Sequence, residues 1–362
     1  MLRFILALVV LLHGLIQLMG FAKAFGNGNI TQLTKEISKP AGILWFMTAV
    51  VFIVATALVL MGKDVWWIPG LIAVISSQIL IFMVWQDAKF GTIANAIILV
   101  AAILSFGRWQ FENSYKKDVA AGLQRTRTLQ ENVLLTDSDI NVLPVLVQNY
   151  LKYVGVLDKP KVKNVKIVFD GAMRDKGKDW FSFTSEQHNF FDIPTRLFFM
   201  KGRMFGITVP GYHSYKNGSA SMQIKLFGLF PIINAKENVL NKAETVTIFN
   251  DMCLLAPATL IDKRIQWRPI DNSSVKATFT VNGITISAIL YFNEKGQLIN
   301  FISNDRYAIA DMKQYPFLTP VEDYKNINGY NLPSYGEAIW RYPDGDFSYG
   351  KFNIKDVEYN YE

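Results

Sequence analysis

A chain of 362 residues with 51% hydrophobic and 14% aromatic side chains holds enough apolar matter for a membrane bundle and a separate packed core, which excludes a disordered or fibrous protein. Its formal charge of +7 is spread unevenly: six Lys and Arg face three Asp and Glu in residues 1–107, five face three in 108–135, and 26 face 24 in 136–362. The last stretch lacks the basic footprint of nucleic-acid binding, and a single cysteine, Cys253, with three scattered histidines, His13, His188 and His213, offers neither an internal disulfide nor a metal-ligand spacing.

Residues 4–25 form an apolar span opened by Arg3 and interrupted by His13 and Gln17. Ala22-Lys23-Ala24 imitates a signal-peptidase site, but the apolar run exceeds the ~7–15 residues of a signal peptide and further spans follow, so a retained helix is expected. Residues 41–61, behind Pro40, carry no charge and suit a crossing of roughly 20 residues. Lys63-Asp64 turns the chain, Trp66 and Trp67 mark an interface, and residues 68–85 and 90–106 supply two more spans around Asp87 and Lys89. Weakly polar residues recur in these spans: His13, Gln17, Thr48, Ser76 to Gln78, Thr92 and Asn95. Hydrogen bonding between helices accounts for them; a proton relay would need an acidic partner for His13, and no span carries one.

The junction, residues 108–135, holds Arg108, Lys116, Lys117, Arg125 and Arg127 against Glu112, Asp118 and Glu131 and reads as a basic membrane-surface connector. With the N-terminus inside, seven Lys and Arg lie near the cytoplasmic ends of the spans and four near the outer ends. The expectation is therefore a multi-pass protein of the cell (inner) membrane whose second domain, residues 136–362, lies in the cytoplasm.

In that domain Thr136, Asp137 or Ser138 caps a helix over 140–153, closed by Gly155. A two-residue period then takes over. Strands are predicted at 163–173, 180–191, 196–204, 208–216 and 220–227, with Asn217-Gly218 as a hairpin turn, followed by a helix over 235–255. Further strands are predicted at 264–269, 275–281, 284–292, 298–304, 318–326, 332–342 and 347–359, with an Asn282-Gly283 turn. The fold class is a membrane all-α bundle of four transmembrane helices plus an α+β soluble domain. The latter is expected to be a curved antiparallel sheet, or open half-barrel, of sequential hairpins with one or two plug helices.

Several strands are apolar on both faces: Trp180 and Phe190 oppose Phe181, Phe183 and Phe191, while Ile289 and Tyr291 oppose Ile286, Leu290 and Phe292. Such a sheet must be covered on both sides or curl around a cavity.

Leu143-Pro144, Val147-Gln148, Tyr150-Leu151, Lys225 through Pro231, Ala256 through Leu260, and Gly336-Glu337-Ala338 through Trp340 to Phe347 resemble a family of uncharacterised bacterial proteins, a domain of unknown function. The stretches His13 to Ile16 and Asp87 to Thr92 are similar to membrane segments of some members. That resemblance implies no activity. Asp323-Tyr324-Lys325 to Gly329 with Leu332-Pro333 is similar to the late hairpin of periplasmic lipoprotein carriers. It implies an open half-barrel around a helical plug that holds acyl chains on its concave face.

No catalytic signature stands out. Glu186 and His188 share a strand face and could form an acid/base pair, but Ser182 and Thr184 on that face equally make a solvated stripe. Tyr212-His213 has no serine, cysteine or acid placed to complete a triad. Pro343-Asp344-Gly345-Asp346, with Glu337, reads as a turn and lacks the ligand series of an EF-hand; Gly26-Asn27-Gly28 lacks the strand-to-helix setting of a phosphate loop. Neither a metal nor a cofactor is expected. The expected function is binding of a lipid or other apolar small molecule beside the bilayer. Strand parity nominates Phe169, Phe183, Phe279, Phe292, Trp340 and Phe352 as lining residues. An enzyme acting through Glu186 and His188 on a membrane-associated substrate, and a structural or interaction module, are the alternatives.

Overall fold

A computed structural model describes every residue except Met1, Gly28, 130–132, Phe205, Glu237 and Ala310; Gly28 and Glu131, singled out above, lie outside the described residues. The chain divides into two compact units, one of residues 1–113 with 227–229, the other of residues 114–226 with 230–362.

The first unit is helical: α1 (Leu2–Ala24), α2 (Lys39–Leu60), α3 (Trp67–Met83), a short α4 (Trp85–Ala88) and the start of α5 (Gly91–Arg127). Among the described residues four helices are long and apolar enough to cross a membrane: Leu2–Ala24, Lys39–Leu60, Asp64–Met83 and Gly91–Arg127. α1 and α2 pack closely because Gly14 and Gly20 carry no Cβ; a methyl group there would run into Phe52 and the Trp45 indole. The polar residues of the spans meet in one cluster. His13 Nε2 lies 2.9 Å from Asn95 Oδ1 and 3.2 Å from Ser77 Oγ, Gln17 Nε2 donates to Ser77 Oγ at 3.0 Å, and Gln78 Nε2 donates to Thr92 Oγ1 at 3.1 Å. These bonds tie α1, α3 and α5 together, and among the described residues no carboxylate reaches His13.

α5 is longer than the predicted span, because residues 107–127 continue the helix. Tyr115, Val119, Gly122 and Thr126 are buried at steps of four and three while Lys116 and Lys117 are exposed, which is the stripe of a helix lying on a surface.

The second unit is an open antiparallel sheet. Its strands are β1 (Asn164–Met173), β2 (Phe181–Phe190), β3 (Thr195–Met204), β4 (Ile207–Lys216), β5 (Ser219–Leu226), β6 (Phe230–Ala235), β7 (Ile265–Pro269), β8 (Ser274–Val281), β9 (Ile284–Phe292) and β10 (Leu298–Ser303), then β11 (Tyr307–Ala308), β12 (Lys313–Gln314), β13 (Phe317–Leu318), β14 (Val321–Ile327), β15 (Tyr330–Tyr342) and β16 (Gly345–Tyr359). Fourteen of them form one sheet in the order β6-β5-β4-β3-β2-β1-β16-β15-β13-β10-β9-β8-β7, with β14 beside β15, and β11 and β12 make a separate ribbon.

The topology corrects the expected run of sequential hairpins. Two meanders meet where β1 pairs with β16, Val165 opposite Tyr359 and Ile167 opposite Val357. β6 and β7 are therefore the two edges, and the segment between them must cross the sheet. That segment carries α8 (Asn238–Leu254), whose residues from Thr245 to Leu254 are all buried. The predicted helix over 140–153 is broken into α6 (Asp137–Ile140), capped by Thr136 and Asp139, and α7 (Val145–Val154). Pro144 causes the break: it has no N–H to donate and starts the second helix. The predicted strand at 318–326 is likewise split by Thr319-Pro320. Asn217, Gly218, Asn282 and Gly283 all have positive φ, as their hairpin turns require.

The two-faced apolar strands have two explanations. On β2 to β4 one face meets α8 and the other meets the C-terminal half of α5, where the ring of Phe190 occupies the space a Gly122 side chain would take. On β9 the expectation fails, since Ile289 and Tyr291 are half-exposed and only the Ile286, Leu290 and Phe292 face is buried.

Candidate functional site

The space between the sheet and α8 is not filled. A cavity of about 600 Å³, within the ~300–1,000 Å³ of small-molecule sites, is walled by Phe169, Phe198, Met200, Met222, Trp340 and Phe352, among others. α8 contributes Leu240, Ala243, Glu244 and Thr247, and the segment after β10 contributes Arg306 to Ile309.

Strand parity brings these residues together. Phe198 and Met200 of β3 alternate with Leu197 and Phe199, which turn to the α5 side. Of the residues nominated from the sequence, Phe169, Trp340 and Phe352 line the cavity. Phe183 stands behind it, its ring 5.4 Å from that of Phe352. Phe279 stacks on Phe249 at 5.2 Å and Phe292 packs on Tyr150 at 5.7 Å, both in the solid part of the core. The three share the face of the lining residues but sit elsewhere along it.

One wall is polar. Arg196 Nε donates to Asp251 Oδ2 at 2.9 Å, its Nη1 to Glu244 Oε2 at 3.1 Å and its Nη2 to Gln187 Oε1 at 2.9 Å. Asp251 Oδ2 also accepts from Gln187 at 2.8 Å and Asn189 at 3.0 Å. Burial pushes the Asp251 carboxyl up, against the pull of Arg196. These charges escaped a pattern reading that gives charge to solvent. Their signal was position: Asp251 interrupts the buried run Phe249 to Leu254, and Arg196 precedes Leu197 to Met200.

Near the rim, Glu337 accepts from Tyr335 and Ser348, each at 2.6 Å; Asp344 pairs with Lys176, and Asp346 with Arg341. The acids near this turn thus have protein partners, and no group of three His, Cys, Asp or Glu among the described residues is arranged to hold a metal ion.

Glu186 and His188 lie on the opposite face of the sheet. Tyr115 of α5 donates to Glu186 Oε1 at 3.1 Å and lies 2.8 Å from His188 Nδ1. His188 is buried beneath that tyrosine, outside the cavity. Burial, helped by Lys166, pulls its pKa down to about 4. His213, in the cavity wall, is also pulled down to about 4, chiefly by burial, with Arg196 and Arg306 adding to the effect and Glu244 opposing it.

The sign of the resulting pH dependence is fixed. An unfolded histidine titrates near ~6.5, so between that value and about 4 the unfolded chain binds protons that the folded chain refuses. The stability that each neutral histidine contributes is fully present above the unfolded value and is lost as pH falls toward the folded one. The thermal midpoint of the sheet unit is expected to hold steady from pH 8 to 7 and fall below it. His213→Gln should make the fall shallower, by at most about a tenfold change in folding equilibrium per pH unit. An identical decline in the variant would contradict the assignment.

An open antiparallel sheet crossed by a helix that leaves a lined hollow, in a chain that also carries a region of apolar helices, defines a fold class that names no reaction. Residues 133–352 match the model of DUF6544, a family of unknown function, and the chain belongs to that family. A solved LolA superfamily protein from Nitrosomonas europaea is similar at 10% identity, over 60% of this chain and 94% of that one, with a TM-score of 0.36. No curated protein matches the chain.

Proposed function

We propose that this protein binds a lipid or other apolar small molecule in the hollow between its sheet and α8. The cavity carries the reading. Protein interiors are packed with few voids larger than a water molecule, yet here an open hollow of about 600 Å³ lies between aromatic and methionine side chains and a polar wall of Arg196, Glu244 and Asp251. Phe169, Trp340 and Phe352 contact the ligand, Phe183 supports Phe352, and Phe279 and Phe292 stiffen the neighbouring core. The sheet acts as an open half-barrel with α7 and α8 as its plug.

The test uses the full chain, because residues 114–127 of α5 cover β2 to β4 and their removal would expose Phe190 and Phe199. Native mass spectrometry of protein released from a non-ionic detergent should show one amphiphile retained per chain. A bare polypeptide mass under conditions that preserve the fold would defeat the proposal.

The same reading places the helices in the bacterial cell membrane with the N-terminus and the sheet in the cytoplasm, as the Lys and Arg distribution favours. A reporter fused after Glu362 checks this, alkaline phosphatase remaining inactive and green fluorescent protein fluorescing. Phosphatase activity would reverse the orientation.

A further inference from the structure

Among the described residues Arg306, in the cavity wall, pairs with no carboxylate. Arg306 follows β10, and its Nη1 donates to Tyr349 Oη at 2.7 Å. Its Cζ lies 4.0 Å from the ring centroid of Phe317, 5.1 Å from Trp340 and 6.0 Å from Tyr349. Those rings hold a cation on their faces but offer no acceptor along the edge of the guanidinium. Nε is buried, and among the described residues it meets no hydrogen-bond partner and no carboxylate pairs with Arg306.

The Nε–Nη2 edge of arginine is the one this protein uses elsewhere for carboxylates. Arg125 presents Nε and Nη2 to Asp192 at 2.7 and 3.1 Å, and Arg341 presents them to Asp346 at 2.8 and 3.0 Å. Other cations around the cavity are engaged: Arg196 by Glu244 and Asp251, Arg174 by the Ser348 carbonyl, and Lys176 by Asp344.

We propose that Arg306 receives the anionic head, carboxylate or phosphate, of an amphiphile whose hydrocarbon part fills the cavity. This rests on the apolar-ligand reading above and adds a head-group requirement to it. A guanidinium offers charge-assisted N–H donors, which hold either oxyanion more strongly than a neutral alcohol or ester.

The experiment is a competition. Full chain in non-ionic detergent is mixed with equal amounts of palmitate, hexadecyl phosphate and hexadecanol, and bound masses are compared by native mass spectrometry. Wild type should retain an anion over the alcohol by at least about tenfold, the preferred anion identifying the head group. Arg306→Gln should bring the ratio near one while hexadecanol binding persists, and Arg306→Lys, which keeps the charge but not the fork, should fall between. Equal retention of all three by wild type, which needs no variant to fold, overturns the head-group assignment and leaves the apolar site standing. An unchanged preference in Arg306→Gln overturns it too. If none of the three is retained, both readings fall.

Discussion

Arg196→Met is expected to destabilise the sheet unit by about 3–5 kcal/mol, a large share of the ~5–15 kcal/mol that holds a typical domain folded. The arginine is nine-tenths buried, as are its two carboxylate partners. Its removal leaves Glu244 and Asp251 facing the cavity without a cation, in surroundings that already raise the Asp251 carboxyl. Methionine replaces the aliphatic stem and its packing, so the loss isolates the charge. Adding Glu244→Leu and Asp251→Leu should recover most of the stability, because a buried ion network replaced whole by apolar side chains is often neutral. Urea unfolding of the single and triple variants is the measurement. A loss below about 1 kcal/mol in Arg196→Met would show that water reaches the network.

Ala243→Phe should abolish ligand retention with little cost to folding. Ala243 lies on α8, buried, with its side chain on the cavity. Enlarging a residue in a packed core costs typically ~1–3 kcal/mol because neighbours must move, whereas here the ring has space to enter. Ala277→Phe is the contrast: Ala277 on β8 is completely buried and does not line the cavity. The expected pattern is at least about a tenfold drop in bound amphiphile with less than about 1 kcal/mol of destabilisation for Ala243→Phe, and the reverse for Ala277→Phe. Equal destabilisation by both, with ligand retained, would mean that the hollow closes on its own.

Most of the elements could be read from residue pattern, since a period of two, a helical stripe and Asn-Gly turns are local properties. What escaped was either too short or too distant. β6 opens with Phe230-Pro231, and proline in a strand argues against it except at an edge, which is where β6 lies. The β11–β12 ribbon has two residues a side and no period to detect. The pairing of β1 with β16 joins residues almost two hundred positions apart, and no local signal records it.

The candidate site was half legible for the same reason. Parity assigned Phe169, Phe183, Phe279, Phe292, Trp340 and Phe352 to one face but could not give their position along it. The cover on the other face was concealed by charge. Arg125 and Asp118 fell in a stretch that read as a basic membrane-surface connector, yet they bond Asp192, Tyr212 and Lys216, while Tyr115 stacks on Phe199 and Gly122 lies against Phe190.

The central seam between β1 and β16 also governs how the molecule is born. A ribosome delivers β1 long before β16, so for most of synthesis the first meander presents an unmatched strand where the finished molecule has its middle. Nascent chains of this kind must wait with a sticky border uncovered, and loss of Gly345–Tyr359 would strand two such borders at once. Truncations that remove Gly345–Tyr359 should therefore yield aggregates rather than shortened but working protein.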